Sequence, residues 1–162
     1  MKTLHDREHT VVLQTSFCPN LTNAAQTSSS VDHTRGLNAR LSTQCTVPSP
    51  ECQCGVACLN MQCIHGSSPV PSLADCSSLQ AALVNLSPQA FLIDPQEMVT
   101  ASLGTCAFNV INFSSGEIEY CLSDLGDSGN EVAIKCAGQG IDAGTCTVSF
   151  PILSVTYLNS VQ

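Results

Sequence analysis

Residues 51–63 read ECQCGVACLNMQC, four cysteines in thirteen positions. The role of those thiols constrains the fold more than any other feature of the chain. Metal ligation, redox catalysis and disulfide bridging each demand a different spacing and a different compartment. Zinc takes four thiolate or imidazole ligands, and Cys52, Cys54, Cys58 and Cys63 with His65 offer enough of them. Their Cys-x-Cys and Cys-x3-Cys intervals, however, depart from the paired Cys-x2-Cys knuckles of common zinc fingers. No Cys-x-x-Cys occurs anywhere in the sequence, which disfavours a dithiol redox site. Disulfides are the leading reading, and a zinc site on those four cysteines is the weaker alternative.

The rest of the composition agrees with oxidation. Eleven cysteines in 162 residues exceed what a reducing cytosol carries without metal or catalysis to occupy them. Cys45, Cys52, Cys54, Cys58 and Cys63 form one set of five, and Cys76, Cys106, Cys121, Cys136 and Cys146 another. Two odd sets imply a bridge between them, with Cys63 to Cys76 one possibility and Cys18 left over; the full connectivity is not readable from sequence. An extracellular location follows as the expectation, although MKTLHDREHTVVLQTSF lacks the apolar core of an export signal. A mis-assigned start, unconventional export and an intracellular protein are the competing explanations. No stretch reaches transmembrane length.

Charge narrows the function classes. Beyond residue 40 the chain holds Lys135 alone against ten carboxylates, and the whole chain is at −8. Nucleic-acid affinity is built on Lys and Arg that release counterions, so a nucleic-acid partner is not expected. All four histidines, His5, His9, His33 and His65, precede residue 73. A Ser or Cys hydrolase with its base inside the C-terminal domain is thereby disfavoured. Carboxylate pairs such as Glu117 with Glu119, or Asp124, Asp127 and Glu131 together, read as solvated faces before they read as a glycosidase site. His5 and His9 in HDREH have helical ligand spacing but sit in a polar tail. No cofactor is implied.

Residues 1–44 lack sustained periodicity and read as a disordered tail. Residues 45–65 form a small cysteine-rich module, and 66–72, with Pro69 and Pro71, a linker. Residues 73–160 read as a folded α+β domain. Asp75 or Ser77 caps a helix whose stripe is Leu79, Ala82, Leu83 and Leu86, ended by Pro88. AFLI at 90–93 is a short strand, and Met98 to Phe113 a long one that Gly104 bends or bulges. Ser114-Ser115-Gly116 turns a hairpin into a strand where Ile118 and Tyr120 alternate with Glu117 and Glu119. Ser123 opens a second helix with Leu125, Gly129, Val132 and Cys136 on one face. Gly126 and Gly129 each cost about 1 kcal/mol there, so a turn at GDSGN stays open. TCTVSFPILSVTYL is a final strand-like segment whose Pro151 needs an edge or a bulge. An antiparallel sheet packed with two helices, an α/β sandwich stabilised by disulfides, is the expected architecture.

This order resembles that of small secreted cysteine-rich proteins of fungi, the killer-toxin-like and necrosis-inducing effector group. The matching residues are Asp75-Cys76, Gly104-Thr105-Cys106-Ala107-Phe108, Ser123-Asp124-Leu125 and Lys135-Cys136, within residues 73–158. The resemblance implies a compact fungal effector that acts by binding an unknown host or cell-surface target, without catalytic residues. Residues 45–63 lie outside the shared pattern. A cell-surface structural or carbohydrate-binding protein, with 45–63 as the binding module, is one alternative, and an intracellular zinc-binding protein another. Asn20 and Asn112 are the glycosylation candidates.

Overall fold

The computed structural model describes residues 2–5, 10–18, 40–47, 49–66, 68–148 and 153–159. Ten strands and two helices are seen among them: β1 (Lys2–His5), β2 (Thr10–Phe17), β3 (Arg40–Thr43), β4 (Asn60–Ile64), α1 (Leu73–Asn85), β5 (Gln89–Ile93), β6 (Glu97–Leu103), β7 (Cys106–Asn112), β8 (Ile118–Cys121), α2 (Leu122–Ala137), β9 (Ala143–Val148) and β10 (Leu153–Asn159). The chain is α+β, with two antiparallel sheets. Seven strands form one in the order β1-β2-β6-β7-β10-β9-β4, and β3-β5-β8 form the other.

Alternation along each strand of the large sheet sorts side chains onto two faces. Val11, Leu13, Val99, Ala101, Cys106, Phe108, Val110, Cys146 and Val155 are buried on the inner face, where the helices lie. Phe91 and Ile93 of β5 and Ile118 and Tyr120 of β8 join the same core. The Phe91 and Tyr120 rings meet edge to face, with centroids 6.1 Å apart.

The second helix is where the sequence pattern and the packing agree best. Leu125, Gly129, Val132 and Cys136 are all buried on it. Its glycines sit at crossings: a Cβ on Gly129 would overlap the Phe108 ring, and one on Gly126 would come within 3.2 Å of the Gln80 carbonyl and of Leu83. Close approach of α2 to α1 and β7 explains why glycine is tolerated inside a helix, and GDSGN is helix rather than turn. α1 buries Cys76, Leu79, Ala82 and Leu83. It begins before the expected caps, because Asp75 is engaged elsewhere: its Oδ2 accepts from the Thr105 N–H at 2.7 Å and the Thr105 hydroxyl at 2.6 Å.

Several expectations are corrected. Residues 1–44 are not a disordered tail throughout, since β1, β2 and β3 fall inside them. Val12 and Thr15 blur the alternation of β2, and its partner β6 lies more than eighty residues away, so only the fold reveals it. The run from Met98 to Phe113 is two strands, not one bent strand. Leu103 pairs with Cys106, and Gly104 at φ +57° takes the first position of the intervening two-residue turn. Ser114 to Gly116 does not close a hairpin, because β7 and β8 belong to different sheets. TCTVSFPILSVTYL is likewise two paired strands, β9 and β10; Pro151 lies outside the described residues, as do His9, His33 and Asn20.

The segment read as a separate module is built into the domain. β4 pairs with β9 as an edge of the large sheet, and three bridges, Cys54–Cys121, Cys58–Cys146 and Cys63–Cys136, tie it to the rest. Cys45–Cys52 and Cys76–Cys106 complete five disulfides. Residues 54–63 run beside α2 as a strap, since Cys121 precedes the helix and Cys136 nearly ends it. Gly55 N–H donates to Asp124 at 2.6 Å near one end, and Lys135 Nζ reaches the Met61 carbonyl near the other. The linker at 66–72 is also anchored, with Gly66 and Ser68 N–H donating to the Asp142 carboxylate at 2.7 and 3.0 Å.

Two measurements check this arrangement. Reduction should raise the intact mass by about 10 Da, at ~2 Da per bridge, and unreduced protein should take up one alkyl group at Cys18. Non-reducing digests should link the 54–63 peptides to those of Cys121, Cys136 and Cys146; unlinked peptides would refute the strap. Independently, Gly129→Ala should cost about 1–3 kcal/mol by overpacking against Phe108, read as a lower urea midpoint.

Candidate binding face

Opposite the helices, the large sheet presents a second face built by the same alternation. Its central row follows the registers from strand to strand: Gln14 beside Thr100, Asn109, Thr156, Thr145 and Gln62. Every member is polar and uncharged. One flanking row holds Ser16, Met98, Ile111, Thr147 and Asn60, and the other Val12, Ser102, Ala107, Leu158, Ala143 and Ile64. No Asp, Glu, Lys or Arg stands in any of the three rows.

Such a face is unusual for this chain. An antiparallel sheet with one wet side normally alternates apolar residues with charged and polar ones. Here the outer face carries Thr, Ser, Asn and Gln beside apolar side chains such as Ile111 and Leu158, with no charge among them. The side chains of Gln14, Thr100, Gln62 and Asn60 make no hydrogen bond to another described residue. Asn109, at the centre, is 4 % exposed, and its Oδ1 has no hydrogen-bond partner among the described residues. An unpaired buried acceptor costs about 1–3 kcal/mol.

The residues singled out from sequence are placed elsewhere. All ten cysteines of the two sets are in disulfides. Cys52, Cys54, Cys58 and Cys63 enter four different bridges, so their sulfurs do not form a zinc site in this oxidised fold. Two groups bring ligand atoms within 4.8 Å of one another, Cys45 with Cys54 and Glu119, and Cys54 with Cys121 and Asp124. Each contains disulfide sulfur and a single carboxylate, a poor donor set for a hard or a borderline cation. Asn112 is fully buried, and its amide is saturated: Nδ2 donates to Ile93 and Gly116 carbonyls, while Oδ1 accepts from the Ser114 N–H and hydroxyl. It organises the β7–β8 connection and offers no accessible nitrogen to a glycan.

The carboxylates are structural too. Glu119 accepts from the Cys45 N–H at 2.6 Å. Asp127 accepts from Gln80 at 2.8 Å, and Gln80 in turn accepts from Asn130 at 2.7 Å, a chain that joins α1 to α2. Burial holds the Asp124 carboxyl above its ordinary pKa, against the Gly55 N–H and with a smaller push from Asp127. Asp75 is lowered, first by the Thr105 hydroxyl and then by its N–H. Asp142 is lowered, first by the Gly66 N–H, with Ser68 N–H and His65 adding to it. Sequence reasoning could not foresee the Asp142 clamp, since its partners lie more than seventy residues upstream.

No protein-family model matches the chain, and a search of curated proteins finds none similar to it. No helix among the described residues is long and apolar enough to cross a membrane.

The lowered carboxylates set the acid response. A carboxyl whose folded pKa is depressed contributes stability above its unfolded value and loses it as pH falls through the folded one. Asp75 and Asp142 therefore weaken the fold on acidification, whereas Asp124, raised by burial, opposes them. Replacing both by asparagine should shrink the fall in urea midpoint between about pH 6 and about pH 3. An unchanged fall would show that other groups govern acid unfolding.

Proposed function

We propose that this chain is a secreted, disulfide-stapled protein of the fungal effector or killer-toxin-like kind, which acts by binding a host or cell-surface target rather than by catalysis. The observation that carries the reading is the uncharged outer face of the large sheet. It is broad and backed by the disulfide-tied helices, and on it the side chains of Gln14, Thr100, Gln62 and Asn60 make no hydrogen bond to another described residue. Five disulfides support an oxidising environment, where a thiol-rich chain keeps its bridges. The described carboxylates support binding over hydrolysis, because Glu119, Asp124 and Asp127 already serve as acceptors within the fold. Recognition falls on the sheet rather than on residues 45–63, of which 54–63 are occupied as a strap along α2.

Labelled protein incubated with fungal and plant cells tests the reading. Retention on one cell type, with growth arrest or necrosis, is the expected result. Thr100→Lys, which places a charge in the central row, should reduce retention about tenfold, the equivalent of ~1.4 kcal/mol. Val47→Ser, on the exposed turn before the strap, should leave it unchanged. Absence of retention on every cell type would refute the proposal.

A further inference from the structure

We infer that the outer face binds a neutral polysaccharide, one extended chain lying across the strands along the row Gln14, Thr100, Asn109, Thr156, Thr145 and Gln62. This rests on the reading of that face as the recognition surface, and it names the class of ligand.

Charge comes first. An anionic ligand such as a nucleic acid or an acidic headgroup requires Lys or Arg, and a cationic one requires carboxylates. The three rows offer neither, and all ten carboxylates beyond residue 40 lie off them. A neutral ligand meets no desolvated charge here and is not repelled by the acidic remainder of the molecule.

The pattern of side chains comes second. A sugar ring presents hydroxyls around its rim and C–H bonds on its faces. The central row supplies hydroxyl and amide groups that both donate and accept. Met98 with Ile111 on one side, and Leu158 with Ile64 on the other, supply apolar contact, and Leu158 and Ile64 are 37 % and 48 % exposed. The row crosses six strands, and five gaps of about 4.8 Å give a track of about 24 Å, long enough for several sugar units. The sheet twist turns the track gradually, which a single flexible polymer chain can follow and a flat crystal face cannot.

The third observation is the Asn109 acceptor, 96 % buried at the centre of the row and without a partner among the described residues. A ligand hydroxyl laid against the row supplies the missing donor after a small rotation of the amide. The protein thus carries an unfavourable group that the ligand relieves.

No Phe or Tyr stands in the three rows, so hydrogen bonds and aliphatic contacts carry the binding there. Each hydrogen bond is worth about 0.5–1.5 kcal/mol net. Short oligosaccharides are therefore weak ligands, and measurable affinity comes from the many overlapping sites that a polymer offers.

Depletion of the full chain from solution by insoluble chitin, β-glucan and cellulose, with pectate as the anionic control, tests the inference. Binding to at least one neutral polymer, unaffected by added salt and absent on pectate, is expected. Thr100→Lys and Thr156→Lys should each weaken it about tenfold, whereas Glu131→Gln, on the exposed side of α2, should not. Should a row variant unfold, Gln62→Lys on the exposed edge strand replaces it. No depletion by any neutral polymer, loss of binding in salt, or binding indifferent to the lysine variants would overturn the inference. Cell retention that survives chitinase and glucanase but is lost to protease would leave the binding function standing and remove the polysaccharide. Absence of cell retention would remove both.

Discussion

The strap formed by residues 54–63 is the constraint on which the rest of the structure depends. Cys121 and Cys136 are fifteen residues apart across α2, about 22 Å at 1.5 Å per residue. Cys54 and Cys63 are nine apart, which spans at most about 30 Å when extended. A nearly extended segment is therefore matched to the helix it accompanies, and the bridges at its two ends hold the helix by both termini. Between them, Cys58–Cys146 fastens the same segment to β9. Three loops of 67 to 88 residues are closed by these bonds, each worth roughly 4–5 kcal/mol taken singly in the chain-entropy account. For a chain with 11 % charged residues, where ion pairs can add little, such closure stands in for much of the missing electrostatic support.

Placing the crosslinks on the inner side frees the other side of the sheet. The strap and both helices engage residues of inner parity: Cys106 joins α1, Cys146 joins the strap, and Phe108 lies under Gly129. Outer positions such as Gln14, Thr100 and Gln62 make no side-chain hydrogen bond to another described residue, and Thr suits a strand there. A face selected only for solubility would be expected to use the Lys and Glu that keep antiparallel sheets wet, and this one uses none.

How much was legible in the sequence depended on the distance over which each interaction acts. α1, α2 and β5 emerged from local periodicity, since their apolar spacing is decided within a few turns or residues. The odd numbers in the two cysteine sets correctly demanded a link between them, but parity does not distinguish one bridge from the three found. Cys63 pairs with Cys136, not with the nearer Cys76. β2 and β3 were missed because each is held by a partner far along the chain, β2 by β6 and β3 by β5, and β1 because, among the described residues, it pairs only with β2. The outer face was invisible for the same reason: Gln14, Asn109 and Gln62 are unremarkable polar residues until the registers set them in one row.

The separation of charge from this face also bears on how the molecule meets a surface. Screening confines a charge to about 8 Å at physiological ionic strength, so an approaching surface senses mainly the side turned toward it. Described carboxylates such as Asp124, Asp127 and Glu131 lie on α2 and Glu119 on β8, away from the three rows. Cell surfaces bearing anionic polymers repel that side and leave the uncharged sheet face unopposed. Orientation then favours contact through the uncharged face, before any specific bond is formed. An acidic protein can in this way turn an uncharged face toward an anionic surface, because its net charge of −8 is distributed unevenly over the fold.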